Sequence, residues 1–233
     1  MTQARGTQVI FASTPMPNGW PGINAALITM QANVTRALHD QRVRKAAEAI
    51  LHEAGAPGGD RLHEALAFYR FVRERVDYRR DPAWLEYIQD PRALLAHIES
   101  TERSELRRGS GPGRGWAAGD CDDHAQLVAL LCFQVRLPVV QVLVAEDDRL
   151  FQLPLDALLS EFERAQRNGR PVPVHVYCAM RESKNAEPSP EWLNGDDRYP
   201  SGLVSLDTAR PGAAFNEHVS GMTRYVRPAV LEY

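Results

Sequence analysis

The residues best suited to chemistry lie in one short segment, Gly-Asp-Cys-Asp-Asp-His-Ala, which spans residues 119–125. Asp120 is a favourable N-cap, and Asp123 stands at the third helical position, which is an Asp variant of the capping box. Cys121 then falls in the first turn of a long apolar helix, where unpaired N–H groups and the helix dipole favour a thiolate. The charges of Asp122 and Asp123 oppose this, so we expect activation to need a cationic partner such as an imidazole.

A histidine on a later strand is the candidate partner. Residues 174–180 alternate as a strand does, which places His175 and Tyr177 on the face opposite the apolar set. Residues 203–208 predict another strand that ends on Asp207, and a carboxylate there could fix the tautomer of an imidazole on a neighbouring strand. Local features alone are equally compatible with a purely structural cysteine in the first turn of the helix.

The other two cysteines carry no such signal. Three cysteines in a chain of 233 residues are not a disulfide framework and fit reduced thiols in a cytosolic setting. We interpret Cys132 and Cys178 as core residues. A metal site at Cys121, His124 and the nearby carboxylates is an alternative, but one thiol with clustered acids suits no common metal well. We therefore expect no metal and no cofactor.

Composition excludes several classes of protein. Hydrophobic residues make up 44% of the chain and charged residues 24%, which rules out a disordered, collagen-like or coiled-coil protein. The net charge of −3 provides no basic field for nucleic acid or an anionic membrane. The apolar run at residues 9–12 is too short for a signal peptide or a membrane span. We therefore expect a cytoplasmic protein without nucleic-acid or membrane partners.

The elements that must position these residues are helices first and strands later. Apolar spacing and capping residues predict helices over residues 23–38, 40–54, 60–76, 90–98, 120–135 and 154–167. Branched apolar runs predict strands over residues 8–12, 139–145, 172–180, 203–206 and 223–226. Residues 101–118, rich in Arg and Gly, and residues 181–201 are interpreted as loops. This order argues for an α+β fold.

Taken together, these segments resemble the transglutaminase-like superfamily, whose fold is related to that of papain-like cysteine proteases. Residues 119–125 resemble the nucleophile motif of the family, and Leu137-Pro138 resembles the end of its helix. His175-Val-Tyr resembles the His strand, and Leu206-Asp207-Thr208 resembles the Asp strand. Upstream, residues 78–91 resemble the helical lead-in of members found in bacteriophages and prophages. The resemblance covers about residues 40–212.

The resemblance implies an architecture. N-terminal helices would pack on a small antiparallel sheet, with the nucleophile at the start of the central helix. Residues 1–39 would be an N-terminal extension made of a short strand, a loop and a helix, and residues 40–233 would be the transglutaminase-like domain. Insertions at about residues 101–118, 150–170 and 181–201 would lie beside the cleft.

It also implies a mechanism. Cys121 would be the nucleophile, His175 the general base and then general acid, and Asp207 the residue that orients His175. Attack on a carboxamide of a protein or peptide substrate would give an acyl-enzyme, resolved by water or by an amine. The backbone N–H of Cys121 would bind the oxyanion. The side chains that could add a second donor or support the site are Gln89, Trp84, Trp116, His124 and Asp120.

Two classes of function remain open. One is a thiol-dependent enzyme acting on amide bonds, a hydrolase or an acyltransferase, and the complete Cys–His–Asp set favours it because an inactive copy usually loses one member. The other is a non-catalytic module for phage morphogenesis or protein interaction, with phage structural proteins as partners. Neither the substrate nor the acyl acceptor follows from the residues.

Overall fold

The structure, a computed structural model, describes residues 14–15, 20–56, 58–81, 87–107, 117–145, 174–181, 203–209 and 215. Its helices are α1 (Trp20–Ala37), α2 (Gln41–Glu53), α3 (Arg61–Arg75), α4 (Pro91–Arg107) and α5 (Cys121–Gln134). Its strands are β1 (Thr14–Pro15), β2 (Val76–Tyr78), β3 (Tyr87–Ile88), β4 (Ala117–Gly119), β5 (Val139–Ala145), β6 (Val174–Arg181) and β7 (Leu203–Leu206). Helices and small sheets occur together, so the fold is of the α+β class.

Local sequence signals account for the ends of α2 and α3. The carboxylate of Asp40 accepts a hydrogen bond from the N–H of Arg42, and that of Asp60 accepts one from the N–H of His63. Both are the N-caps that the sequence predicts. Gly55 follows α2 with φ of 64°, a left-handed conformation that glycine adopts without a steric penalty.

Strands β5, β6 and β7 form a three-stranded antiparallel sheet in that order. The register pairs Cys178 with Leu206, so β7 covers only the second half of β6. Beyond Leu206 the chain runs on beside the first half of β6. Asp207 therefore lies beside the part of β6 that contains His175. Residues that oppose each other across neighbouring strands share a face of the sheet.

Helix α5 is the centre of the packing. It contacts α1, α2, α3 and α4 as well as β5 and β6, and every residue from Asp122 to Cys132 is buried. A helix buried all round needs no polar face, which explains its nearly uninterrupted apolar run. The expected place of Cys121, at the start of a central helix, is what the structure has.

Helix α1 belongs to this core rather than lying apart from it. Val34 and Ala37 join the main cluster of buried residues around α5. Ala26 and Met30 join a smaller cluster with three further residues, and Cys121 packs against that cluster. The N-terminal segment thus contributes part of the surface on which the candidate nucleophile rests.

The prediction of a short helix ending near residue 98 is wrong, because α4 continues to Arg107. Residues 101–107 are thus helical, not part of a loop. Apolar spacing stops at Ile98, but Glu, Arg and Ser continue a helix without it, and the Arg103 side chain donates to the carbonyl of Glu99. The rest of that predicted loop, residues 108–116, lies outside the described residues. So do the predicted helix at 154–167, the strands at 8–12 and 223–226, and nearly all of 181–201.

Two short strand pairs are absent from the sequence prediction. β1 pairs antiparallel with β3, and β2 pairs parallel with β4. Strands of two or three residues are too short to show alternation, so no pattern distinguishes them from loop. None of the helices in the described ranges is both long and apolar enough to span a membrane.

Candidate active site

Cys121 is the first residue of α5 and is half-buried. The carbonyl of Asp120 accepts the first helical hydrogen bond, from the N–H of His124 at 3.1 Å. Over the described chain, however, the Asp120 side chain makes no capping hydrogen bond. The predicted capping box is therefore wrong, because Asp123 turns away from the helix end to another partner.

That partner is Gln89, which follows β3. Its backbone N–H donates to Asp123 Oδ1 at 2.9 Å, and its Nε2 donates to Asp123 Oδ2 at 2.5 Å. The same Nε2 donates to the carbonyl of Ala118 at 3.0 Å. Both amide hydrogens of Gln89 are thus engaged, which leaves neither for an oxyanion. Gln89 joins β3, β4 and the first turn of α5.

His175 and Asp207 are in direct contact. His175 Nε2 lies 3.0 Å from Asp207 Oδ2, with the His175 side chain 11% exposed and that of Asp207 fully buried. A carboxylate only accepts, so Nε2 carries the hydrogen and Nδ1 of His175 is the basic nitrogen. The His175 ring also stacks on that of Tyr177, with centroids 5.9 Å apart, which confirms that these two residues share a face.

His124 connects the start of α5 to this pair. Its Nδ1 lies 3.0 Å from Thr208 Oγ1, one residue beyond Asp207. Burial lowers the pKa of His124 to about 4, while the charge of Asp207 acts in the opposite direction and the charges of Arg73 and His175 add to the lowering. His124 is therefore neutral at physiological pH. Since it lies one turn beyond Cys121, the start of α5 and the His–Asp pair occupy the same region.

The carboxylates near Cys121 do not all carry charge. Burial, followed by the charge of Asp120, raises the pKa of Asp123 to about 8, against the lowering effect of its hydrogen bonds from Gln89. Burial also raises the pKa of Asp81 to about 6. With a pKa of about 8, Asp123 is mostly protonated at pH 7 and opposes the Cys121 thiolate less than the sequence predicts.

The same cluster contains the described residues that could hold a metal ion. Asp120, Asp122 and Asp123 are buried and each brings one carboxylate oxygen within 4.8 Å of the others. Both oxygens of Asp123 already accept hydrogen bonds from Gln89. A protonated carboxyl with both oxygens engaged is a poor ligand for a hard cation.

The remaining cysteines are core residues, as expected. Cys132 and Cys178 are completely buried, and burial raises the pKa of each thiol. Protonated thiols inside an apolar core are unreactive. Cys121 is thus the cysteine that solvent reaches.

Tyr78 is a neighbour of Cys121 that sequence reasoning did not assign to the site. It is the last residue of β2, opposite Gly119 on β4, and its ring centroid lies 6.4 Å from that of His124. The one sequence signal for Tyr78 is its position in residues 78–91, the segment that resembles the region preceding the nucleophile in phage-type members. The other two candidates for support, Trp84 and Trp116, lie outside the described residues.

Comparison of the chain with models of protein families, with curated proteins and with solved structures finds no match.

Proposed function

We propose that this chain is a thiol-dependent enzyme acting on amide bonds, a cysteine peptidase or amidase or an acyltransferase with a papain-like, transglutaminase-like core. Cys121 is the nucleophile, His175 the general base and Asp207 the carboxylate that orients His175. The contact between His175 Nε2 and Asp207 Oδ2, at 3.0 Å, carries the proposal. It joins the two residues that the chemistry of Cys121 requires, in the region where α5 begins.

A buried His–Asp pair also occurs as a purely structural feature, but two properties of this one favour catalysis. His175 keeps 11% of its side chain exposed, so its ring is not sealed in the core. The charges of Asp207 and His175 also act on His124, one turn beyond Cys121, so the pair lies near the start of α5. A structural pair would require neither an accessible ring nor a position near the first turn of α5.

The proposed reaction begins with transfer of the thiol proton of Cys121 to Nδ1 of His175. Asp207 stabilises the imidazolium that results and keeps the ring in place. The thiolate then attacks the carbonyl carbon of a carboxamide, and the backbone N–H of Cys121 donates to the oxyanion. His175 returns the proton to the leaving amine, the C–N bond breaks, and an acyl thioester remains on Cys121.

The second half of the reaction determines the class of enzyme. His175 accepts a proton from water in a hydrolase or from an amine in an acyltransferase, and that nucleophile attacks the thioester carbonyl. The thiolate of Cys121 leaves and is reprotonated. The described residues can serve hydrolysis and acyl transfer equally. An activity assay with water or an amine as the acyl acceptor distinguishes the two.

The proposal is tested by alkylation of the native protein with iodoacetamide at pH 7, with each cysteine quantified by peptide mass spectrometry. We expect Cys121 to react alone, and faster than glutathione at the same pH, because His175 promotes its thiolate. His175→Ala should slow the reaction at least tenfold. His63→Ala, which removes an exposed histidine on α3, is the matched control. A Cys121 rate at or below that of glutathione and unchanged in His175→Ala would refute the proposal.

A further inference from the structure

Tyr78 is held close to Cys121 by the pairing of β2 with β4. The parallel register places Tyr78 opposite Gly119, and the N–H of Arg79 donates to the carbonyl of Gly119 at 2.9 Å. Gly119 precedes Cys121 by two residues. The backbone of Tyr78 is thus fixed beside the chain that leads into the first turn of α5.

The side chain of Tyr78 lies over that first turn and reaches solvent. Its ring centroid is 6.4 Å from that of His124, one turn beyond Cys121, and 37% of the residue is exposed. Burial raises the pKa of Tyr78, and the charge of Cys121 is the next cause. The hydroxyl is therefore within electrostatic reach of the sulfur and stays protonated at neutral pH.

The hydroxyl has a hydrogen to donate. In the side-chain hydrogen bond between Arg80 and Tyr78 the guanidinium donates and the phenol oxygen accepts, so that bond does not use the single O–H of Tyr78. A phenol that accepts from a guanidinium becomes a stronger donor, because linked hydrogen bonds polarise one another. Such a group suits an acceptor on which negative charge develops.

We propose that Tyr78 is a catalytic residue whose hydroxyl donates a hydrogen bond to the oxyanion formed when Cys121 attacks a carbonyl group. The inference rests on the proposed function, since the oxyanion forms only if Cys121 is the nucleophile. The backbone N–H of Cys121 would be the first donor to the oxyanion and the Tyr78 hydroxyl the second. Gln89 does not compete for the second place, because both of its amide hydrogens are engaged.

The step in question is acylation. The sulfur of Cys121 forms a bond to the carbonyl carbon while the C=O π electrons move to oxygen, where Tyr78 donates. The carbonyl re-forms as the leaving group departs with its electron pair, and the thiol proton remains on His175. Alkylation by iodoacetamide also consumes the thiolate, but iodide is displaced from an sp³ carbon and no oxyanion forms.

These two reactions separate a role at the oxyanion from a role at the thiol. We would measure acylation of Cys121 by p-nitrophenyl acetate, from nitrophenolate release, and alkylation by iodoacetamide in the same preparations. In Tyr78→Phe we expect acylation to slow at least tenfold, since loss of one oxyanion donor costs about 10²- to 10³-fold in known enzymes. Alkylation should change less than twofold, which also establishes that the fold around the thiol is intact.

Tyr87→Phe is the matched control, because Tyr87 alternates with the buried Ile88 on β3 and so points away from the cluster that contacts Cys121. Both of its rates should equal those of the wild type. Unchanged acylation in Tyr78→Phe, or an equal fall in both rates, overturns the role of Tyr78. Failure of the proposed function looks different, because wild-type Cys121 would then react selectively with neither reagent.

Discussion

His124 Nδ1 lies 3.0 Å from Thr208 Oγ1, although 84 residues separate them in the chain. The first belongs to the opening turn of α5, three residues beyond Cys121, and the second follows Asp207 directly. This contact therefore ties the helix of the candidate nucleophile to the strand end that carries the candidate carboxylate. Because burial lowers the pKa of His124 to about 4, it is a hydrogen bond between neutral groups.

Removing the hydroxyl of Thr208 should weaken this tie. Thr208→Val keeps the shape of the side chain but leaves the buried Nδ1 of His124 without its partner, at a cost of about 1–3 kcal/mol. We expect a lower urea midpoint with an unchanged m-value. Thr35→Val is the control, since the Thr35 hydroxyl bonds to the carbonyl one turn earlier on an exposed helix face. Equal losses in the two variants would contradict a special role for the His124 contact.

Replacing Asp207 tests the charge beside His175. Asp207→Asn preserves volume but can donate to the ring, which favours the tautomer with its hydrogen on the wrong nitrogen. We expect acylation of Cys121 by p-nitrophenyl acetate at pH 7 to fall at least about 100-fold, by analogy with the loss in serine proteases. Asp77→Asn, on the exposed side of β2, should match the wild type. A rate for Asp207→Asn within threefold of the wild-type rate would remove Asp207 from the mechanism.

Sequence patterns sufficed for elements with strong local signals. The bounds of β5 and β7 agree with prediction because branched apolar runs there are bounded by Pro138 and Asp207. The caps of α2 and α3 agree because an N-cap depends on neighbouring residues alone. The proximity of His175 and Asp207 followed from their positions on consecutive strands, which pair more often than not.

Contacts between distant segments lay beyond such patterns. Nothing in the run of acids around Cys121 reveals that Asp123 is protonated, since this depends on its burial and on Gln89, 34 residues earlier. Likewise, the three-residue strands β2 and β4 carry no periodic signal. Their parallel pairing places Tyr78 near Cys121, and this pairing depends on tertiary packing alone.

The raised pKa of Asp123 predicts how stability depends on pH. Its folded pKa of about 8 lies above the ordinary aspartate value of 3.8, so the folded state binds the proton more tightly. The resulting stabilisation is complete below pH 3.8 and is lost as the pH rises to about 8. Asp123→Asn is neutral at every pH and lacks this loss. Relative to the wild type, its free energy of unfolding should therefore rise with pH, by up to about 1.4 kcal/mol per unit.

The pKa shift of His124 provides an internal reference for the pH dependence of unfolding. Its folded pKa of about 4 lies below the ordinary histidine value of 6.5, so its stabilisation is present above pH 6.5 and is lost as the pH falls to about 4. Between pH 4 and 6.5 the two effects oppose each other in the wild type. In Asp123→Asn the opposing effect of Asp123 is gone, while the raised pKa of Asp81 acts alike in both proteins. We therefore expect the stability of the variant, relative to that of the wild type, to rise with pH over this window in urea titrations. Parallel curves for the two proteins would show that Asp123 is ionised in the folded state.

Gly119 tests how closely the segment before Cys121 must approach α5. A Cβ built on Gly119 would lie 2.7 Å from the Cβ of Asp123, an atom fixed to the helix backbone that cannot rotate away. Gly119→Ala should therefore push β4 from the first turn of α5 and disturb the hydrogen bonds between Gln89 and Asp123. We expect a loss of about 1–3 kcal/mol in the free energy of unfolding, together with slower alkylation of Cys121 by iodoacetamide.

Gly58→Ala is the matched control, because an added Cβ there meets no atom within 4 Å. This variant should leave the free energy of unfolding unchanged or improve it by about 0.4–1 kcal/mol. If both variants unfold at the wild-type urea midpoint, the first turn of α5 is free to shift, and the close packing of Gly119 on Asp123 is not needed to position Cys121.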